Sequence, residues 1–189
     1  MEITFAEALN QAMLEEMERD EKVFLMGEDV ALSAISPATA GLSERFGKER
    51  VRNTPISELG FTGAAVGAAM AGYRPILDMR RIDFMMLSID QIVNQAAKLR
   101  YMLGGQVSIP LVIRAPEGGG IQNGPTHSQC LESWFLQVPG LKVVIPSGPE
   151  DAKGLLKTSI RDDNPVLLVE YRQLYSTKED VPEGDCTIH

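Results

Sequence analysis

Short apolar runs set between helix-length stretches constrain this chain more than any single residue does. Runs at 23–26, 74–79, 109–115, 141–145 and 165–170 are each opened or closed by Pro or Gly and alternate with helical patterns. That alternation predicts a parallel sheet, because parallel strands need crossovers long enough to hold a helix. The continuous apolar stretches Leu111 to Ile113, Val143 to Ile145 and Val166 to Val169 show no polar alternation, so these strands are expected to be covered on both faces. Phe5, Ala8, Leu9, Ala12, Met13 and Met17 recur at helical spacing ahead of the first run. The fold class is therefore α/β, a doubly wound parallel sheet with helices on both faces. In such sheets ligand-binding loops gather at the carboxyl ends of the strands. Gly27, Glu28 and Asp29, residues 80–84 and residues 116–127 are expected to meet there.

A chain of 189 residues with 44% hydrophobic content can bury one sizeable core. Eighteen Lys and Arg against 26 Asp and Glu give a net charge of −8, which argues against a nucleic-acid surface. The cysteines, Cys130 and Cys186, lack metal-ligand spacing and suit a reducing cytoplasm. The first residues carry early acids rather than a signal peptide's pattern. The longest small and apolar stretch, Phe61 to Tyr73, is shorter than the roughly 18 residues of a membrane span, so no membrane partner is expected. Its Gly63 to Gly67 spacing reads as helix packing. After Glu170 periodicity gives way to turn residues, and His189 is compatible with the start of an expression tag.

The stretch from Asn53 to Pro75 singles out one carboxylate. Pro55 biases Thr54 toward extended backbone, and Ser57 is a good helix-capping residue. Glu58 then falls in the first turn of a helix built largely from Gly and Ala, with Gly60, Gly63, Gly67 and Gly72 each costing roughly 1 kcal/mol of helix propensity. Close approach of another backbone is the expected compensation, and a carboxylate there would be partly desolvated. Spacing alone reads Glu58 as an ordinary first-turn acid. Burial and the helix terminus act on its pKa in opposite directions.

The sequence TPISE-x-G-F followed by GAAVGAAMAG resembles the β subunit of the thiamine-diphosphate-dependent decarboxylating component of 2-oxo acid dehydrogenase complexes, shared by pyruvate, branched-chain and acetoin enzymes. The likeness continues through VFLMGEDV, DFMMLSIDQIVNQAAKLRYMLGGQ, PLVIRAPEGGG, HSQCLESWF, PGLKVVIPSGPEDAKGLL and IRDDNPVLLVE, covering essentially the whole chain. It implies that residues 1–175 form a transketolase-like pyrimidine-binding domain and that 176–189 begin a linker to a further domain. The implied reaction is oxidative decarboxylation of a 2-oxo acid, or cleavage of acetoin, with acyl transfer to lipoamide. The implied partners are an α subunit, which holds the diphosphate through magnesium in an α2β2 assembly, and a lipoyl acyltransferase core. The isolated domain is expected to be inactive. Another transketolase-like thiamine enzyme, or a noncatalytic assembly domain of the same fold, is the alternative.

Residue by residue, the resemblance assigns Glu58 as the carboxylate that protonates the cofactor's aminopyrimidine, a role in which one placed hydrogen bond tunes the cofactor's own chemistry. Phe84 matches the aromatic residue that packs on the pyrimidine face; by composition alone it reads as core. Glu28 matches an acid near the pocket, although a turn-capping acid fits it equally. His127 matches the histidine lining the channel, where imidazole can exchange protons near neutral pH; it is expected just before a helix over 128–137, capped by Thr126 and Gln129. Main-chain oxygens of Leu111, Ser159, Ile160, Asp162 and Asn164 match a potassium site of some relatives, against a plain helix end closing before Pro165.

Gly118, Gly119, Gly120 and Gly124 match no phosphate-binding fingerprint and read as a mobile loop. The chain also departs from the family pattern. Arg80 and Arg81 stand where relatives carry apolar or amide residues, so Arg80 enters the pocket wall and one guanidinium is available for a carboxylate or phosphate. Solvated arginines bonded to Asp78 or Asp83 are the plainer alternative. The loop Ala31 to Ala40 lacks the glycine-rich stretch of many relatives.

Overall fold

The computed structural model describes residues 1–33 and 36–188; His189, and with it any reading of a tag, lies outside them. In chain order the strands and α-helices are β1 (Glu2–Thr4), α1 (Phe5–Arg19), β2 (Val23–Gly27), α2 (Leu42–Phe46), β3 (Val51–Asn53), α3 (Glu58–Met70), β4 (Arg74–Asp78), α4 (Ala97–Met102), β5 (Val112–Glu117), β6 (Lys142–Val144), α5 (Pro149–Arg161), β7 (Val166–Tyr171) and β8 (Lys178–Asp180). A 3-10 helix at Ile82–Ser88 and a π-helical segment at Gln91–Ala96 lead into α4.

Six strands form one sheet in the order β3-β2-β4-β5-β7-β6, and every neighbouring pair is parallel. All five apolar runs of the sequence are strands of this sheet. Each face carries its own apolar core. One packs α1 and α5, through Leu9, Met13, Leu156 and Ile160, onto Leu25, Ile76, Val112 and Leu168. The other packs α3 and the segment after β4, through Phe61, Ala65, Met85 and Ile92, onto Leu77, Ile113, Leu167 and Val169. Burial on both faces explains the lack of polar alternation in β5 and β7, whereas β6, at the edge of the sheet, is only partly buried and Ile145 is exposed, contrary to the expectation for Val143 to Ile145.

Local chemistry places the helices. Thr4 opens α1 with a reciprocal capping box: its Oγ1 accepts the Glu7 N–H at 3.2 Å while Glu7 Oε2 accepts the Thr4 N–H at 2.7 Å. Helices α1 and α5 lie side by side and are joined by charge as well as by apolar packing. Lys153 and Lys157 reach Glu15, and Arg161 grips the fully buried Glu16.

Three charges are buried within the central strands. Arg114 on β5 binds Glu170 on β7 through both carboxylate oxygens, at 2.6 and 2.9 Å, and Asp78 on β4 at 3.0 Å. Tyr175 donates to Glu170 at 2.5 Å. A cation between two acids satisfies charges that would otherwise be prohibitive in a dry core, and it ties together the ends of three adjacent strands.

The structure differs from the sequence reading in three places. Residues 128–137 are not an α-helix; they are bends around a 3-10 helix at Glu132–Trp134. The would-be capping residues bond elsewhere: Gln129 Nε2 donates to Asp83 Oδ1 at 2.8 Å, and Thr126 Oγ1 lies 3.0 Å from His127 Nδ1. Residues 176–188, read as a linker, return to the domain. There β8 pairs antiparallel with β1, Val181 is buried, and Asp185 binds Lys157 and Arg161. Ser57 stands at the N-cap of α3 without a side-chain capping bond.

Candidate active site

The loops expected at the carboxyl edge of the sheet do converge there. Gly27 at the end of β2 has φ +154°, and a Cβ on it would stand 2.4 Å from the Asp78 carbonyl oxygen. Only glycine lets the ends of β2 and β4 approach so closely. The Thr54 N–H donates to the Gly27 carbonyl at 3.0 Å, so the chain leaves β3 along this edge and turns into α3 beside Glu28.

Glu58, the first residue of α3, is only 6% exposed. Among the described residues no side-chain hydrogen bond or ion pair holds its carboxylate. An acid at a helix N-terminus gains from the terminus, and its carboxylate oxygens, unlike those of Glu117 and Asp83, are not closed off from solvent. Glu28 stands at the same edge. Burial pushes its carboxyl above the usual range, neighbouring Asp29 and Glu58 push it further, and Arg80 opposes them. Glu28, Glu58 and Arg80 therefore share one electrostatic neighbourhood. Arg80 sits there in a left-handed backbone conformation, φ +58°, with its N–H on Asp78 Oδ1 at 2.8 Å.

Phe84 lies on the 3-10 helix that packs against α3. Its ring meets His127 edge-on, with centroids 5.2 Å apart and planes at 89°. The structure thus brings together two residues separated by more than forty positions. The glycines of the intervening loop serve packing. A Cβ on Gly118 would lie 2.0 Å from the His127 carbonyl oxygen, and one on Gly120 would lie 1.9 Å from Gln173 Nε2. The loop folds back on the end of β5, and that fold fixes where His127 stands.

Beyond these residues lies a group of acids that sequence reading missed. Glu117 ends β5 at 1% exposure, Cys130 Sγ donates to its Oε1 at 3.1 Å, and Glu132 is adjacent. Glu117 Oε2, Glu132 Oε2 and the nearby Asp83 Oδ2 are buried without a partner. Burial first, then Glu132 and Asp83, raise Glu117 to about 7 against the lowering effect of the Cys130 thiol, and burial beside Glu117 raises Cys130 to about 11. An acid closing an apolar strand run was the available signal.

Several of the main-chain oxygens matched to potassium already accept hydrogen bonds. Arg74 Nη1 donates to the Ile160 and Asp162 carbonyls at 3.0 and 3.1 Å. The Leu111 and Ser159 oxygens accept the Val166 and Asp162 N–H groups. The Asn164 side chain binds Asp162 Oδ1 and accepts from Arg100. The cation already at this junction is a guanidinium, and it fastens α5 to the start of β4.

A family model described as "Transketolase, pyrimidine binding domain" matches residues 1–178, and the chain belongs to that family. More narrowly, it is 49% identical to the pyruvate dehydrogenase E1 component subunit beta of Bos taurus, with 96% of this chain and 51% of that one covered. It is 49% identical to the 2-oxoisovalerate dehydrogenase subunit beta of Bacillus subtilis, covering 97% and 57%, and 52% identical to the pyruvate dehydrogenase E1 component subunit beta of Rickettsia felis, covering 97% and 56%. The chain thus spans about half the length of the curated relatives it matches. A solved split-gene transketolase, an inactive β4 tetramer, superposes with a TM-score of 0.76 at 20% identity over 99% of this chain and 56% of that one, a likeness of fold.

Proposed function

We propose that this chain is the pyrimidine-binding part of the β subunit of a thiamine-diphosphate-dependent 2-oxo acid or acetoin dehydrogenase, oxidatively decarboxylating its substrate and passing the acyl group to lipoamide. The observation that carries the reading is Glu58. A largely buried residue whose carboxylate stays open and unbonded, placed where a helix start meets the carboxyl edge of a parallel sheet, leaves room for a ring nitrogen as its partner. When bound, the cofactor supplies the carbanion-stabilising chemistry.

The residues of this chain orient and protonate. Glu58 would hold the cofactor's ring through one hydrogen bond. Phe84 offers a flat apolar face to a heterocycle, and its perpendicular contact holds the His127 ring close by. His127 is thereby positioned to hold or release a proton at the mouth of the site.

An α subunit completes the site, holding the diphosphate and magnesium. Its support is the apolar surface beside the site: Ile56, Leu59, Met86 and Leu87 are exposed large apolar residues on α3 and its neighbours. Such surface suits an obligate interface, here in an α2β2 assembly that docks on a lipoyl acyltransferase core. Both cysteines are free thiols, which supports a reducing cytoplasm, and among the described residues no helix is long and apolar enough to cross a membrane.

The test is co-expression of the full-length β subunit with its α subunit. Glu58→Ala should lower thiamine-dependent decarboxylation by about 10²-fold or more, with the assembly intact by size-exclusion chromatography. Equal rates in wild type and variant would remove Glu58 from the chemistry.

A further inference from the structure

Beside the Glu28–Glu58 edge lies a second cavity, of about 90 Å³, whose wall includes Arg80, Arg81, Arg172, Asp78 and Tyr175. Its charge is unusual for a chain of net charge −8. Among the described residues none of the three arginines forms an ion pair. The acid in the wall is engaged elsewhere: Asp78 Oδ2 binds Arg114 and Oδ1 accepts the Arg80 N–H. The Tyr175 hydroxyl is spent on Glu170. Arg81 Nη1 is buried with no hydrogen-bond partner among the described residues, so solvation does not satisfy it.

Like charges gathered in a shielded pocket repel one another, since the local dielectric is far below that of water. The Arg81 guanidinium carries that signature: burial, then Arg172 and Arg80, hold its pKa below the usual value. Asp83 opposes that lowering without cancelling it, and an anion would relieve the repulsion further. The cavity's size sets what fits. A water occupies about 30 Å³, so the space takes one compact oxyanion group rather than a whole molecule. Guanidinium forks match carboxylate and phosphate geometry with paired hydrogen bonds.

We infer that Arg80, Arg81 and Arg172 form a recognition pocket for a second anionic group, carboxylate or phosphate, at the far end of the small molecule that enters the Glu58 site. Arg80 links the two places, because it lines the cavity and also acts on Glu28. The assignment of this anion to the substrate rests on the function proposed above; the binding of an anion by the pocket does not. Substrates with a distal carboxylate or phosphate are therefore favoured over those with purely aliphatic tails.

The experiment has two arms. In the first, the 189-residue chain is titrated with inorganic phosphate and separately with glutarate at constant ionic strength set by chloride, following arginine Nε–H resonances and melting temperature. Saturable shifts are expected with at least one probe, identifying phosphate or carboxylate as the favoured group. Arg81→Gln and Arg172→Gln should weaken them at least tenfold, whereas Glu58→Ala should leave them unchanged. No saturable shift with either probe, or shifts indifferent to both arginine substitutions, would overturn the pocket. In the second arm, the assembled enzyme carrying Arg81→Gln is compared on matched 2-oxo acids with and without a terminal anion of the group identified in the first arm. The KM for the anionic one should rise at least tenfold more than that for the other, and equal changes would overturn the link to substrate. Loss of activity in Glu58→Ala with phosphate or glutarate binding absent would sink this inference alone. Unchanged activity in Glu58→Ala with that binding intact would sink the proposed function alone.

Discussion

Glu117 is a carboxyl group that the fold holds closer to neutrality than its chemistry dictates. Its value of about 7 in the folded chain exceeds the ordinary 4.5, so the folded form binds the proton more tightly than the unfolded one. The favourable contribution is complete below about pH 4.5 and is lost as pH rises through about 7. We expect Glu117→Gln to flatten the fall in stability between these limits, by roughly 3 kcal/mol, in urea titrations run across the range. A wild-type chain with no such fall, or a variant retaining it, would refute the raised pKa. The sequence exposes residues of this scale unevenly. Glu58 was legible because an acid before a Gly/Ala helix is unusual and sits in a long, specific resemblance. Arg172 was not, because its neighbours Arg80 and Arg81 are about ninety positions away and only the β4, β5 and β7 ends unite them. The Arg114, Asp78 and Glu170 triad left a visible trace, charges inside apolar strand runs, but its pairing belongs to the strand order.

The elements were legible where periodicity was sustained and illegible where competing bonds were local. Each strand of the main sheet with a continuous apolar run was readable, whereas β1, β3 and β8, three residues each, are too short to carry a pattern. The helix expected over 128–137 lost to the side-chain partners of Gln129 and Thr126, an outcome set by Asp83 across the fold. Two elements yield predictions. Deleting residues 178–188 removes the β1–β8 pairing and exposes the place of Val181, whose burial alone stabilises by about 1.5–3 kcal/mol. The melting temperature should drop by roughly 5–10 °C for a chain of this size, and an unchanged melt in scanning calorimetry would show this segment to be dispensable. Gly118→Ala forces a methyl group onto the His127 carbonyl oxygen. The loop must shift, and a displacement near 1 Å can cost about 10²-fold in rate. Acyl transfer by the assembled enzyme should fall at least tenfold while far-UV circular dichroism is unchanged; full activity would mean that the position of His127 is immaterial.

At the scale of the molecule, α3 has two faces with opposite demands. Phe61, Thr62, Ala65, Val66 and Ala69 face the sheet and are buried, while Gly60, Ala64 and Gly67 face outward. A Cβ on Gly67 meets nothing within 4 Å, although one on Gly63 touches Gln91 at 3.3 Å. The compensation expected from the Gly/Ala composition is therefore not supplied within this domain at Gly67, where glycine still costs the helix roughly 1 kcal/mol. A surface that keeps glycine against its own stability is explained by something that must come close. Gly67→Arg separates the two demands. Arginine is a good helix former, so the isolated chain should melt slightly higher, by an amount corresponding to about 0.5–1 kcal/mol. The same side chain would hold a second helix backbone several ångströms too far away, and co-purification with the α subunit should be lost. Lys48→Glu, an exposed change in the turn after α2, should leave co-purification intact. A Gly67→Arg chain that still captures the α subunit in stoichiometric amount would place the interface elsewhere on the domain, and the thinness of this helix face would need another cause.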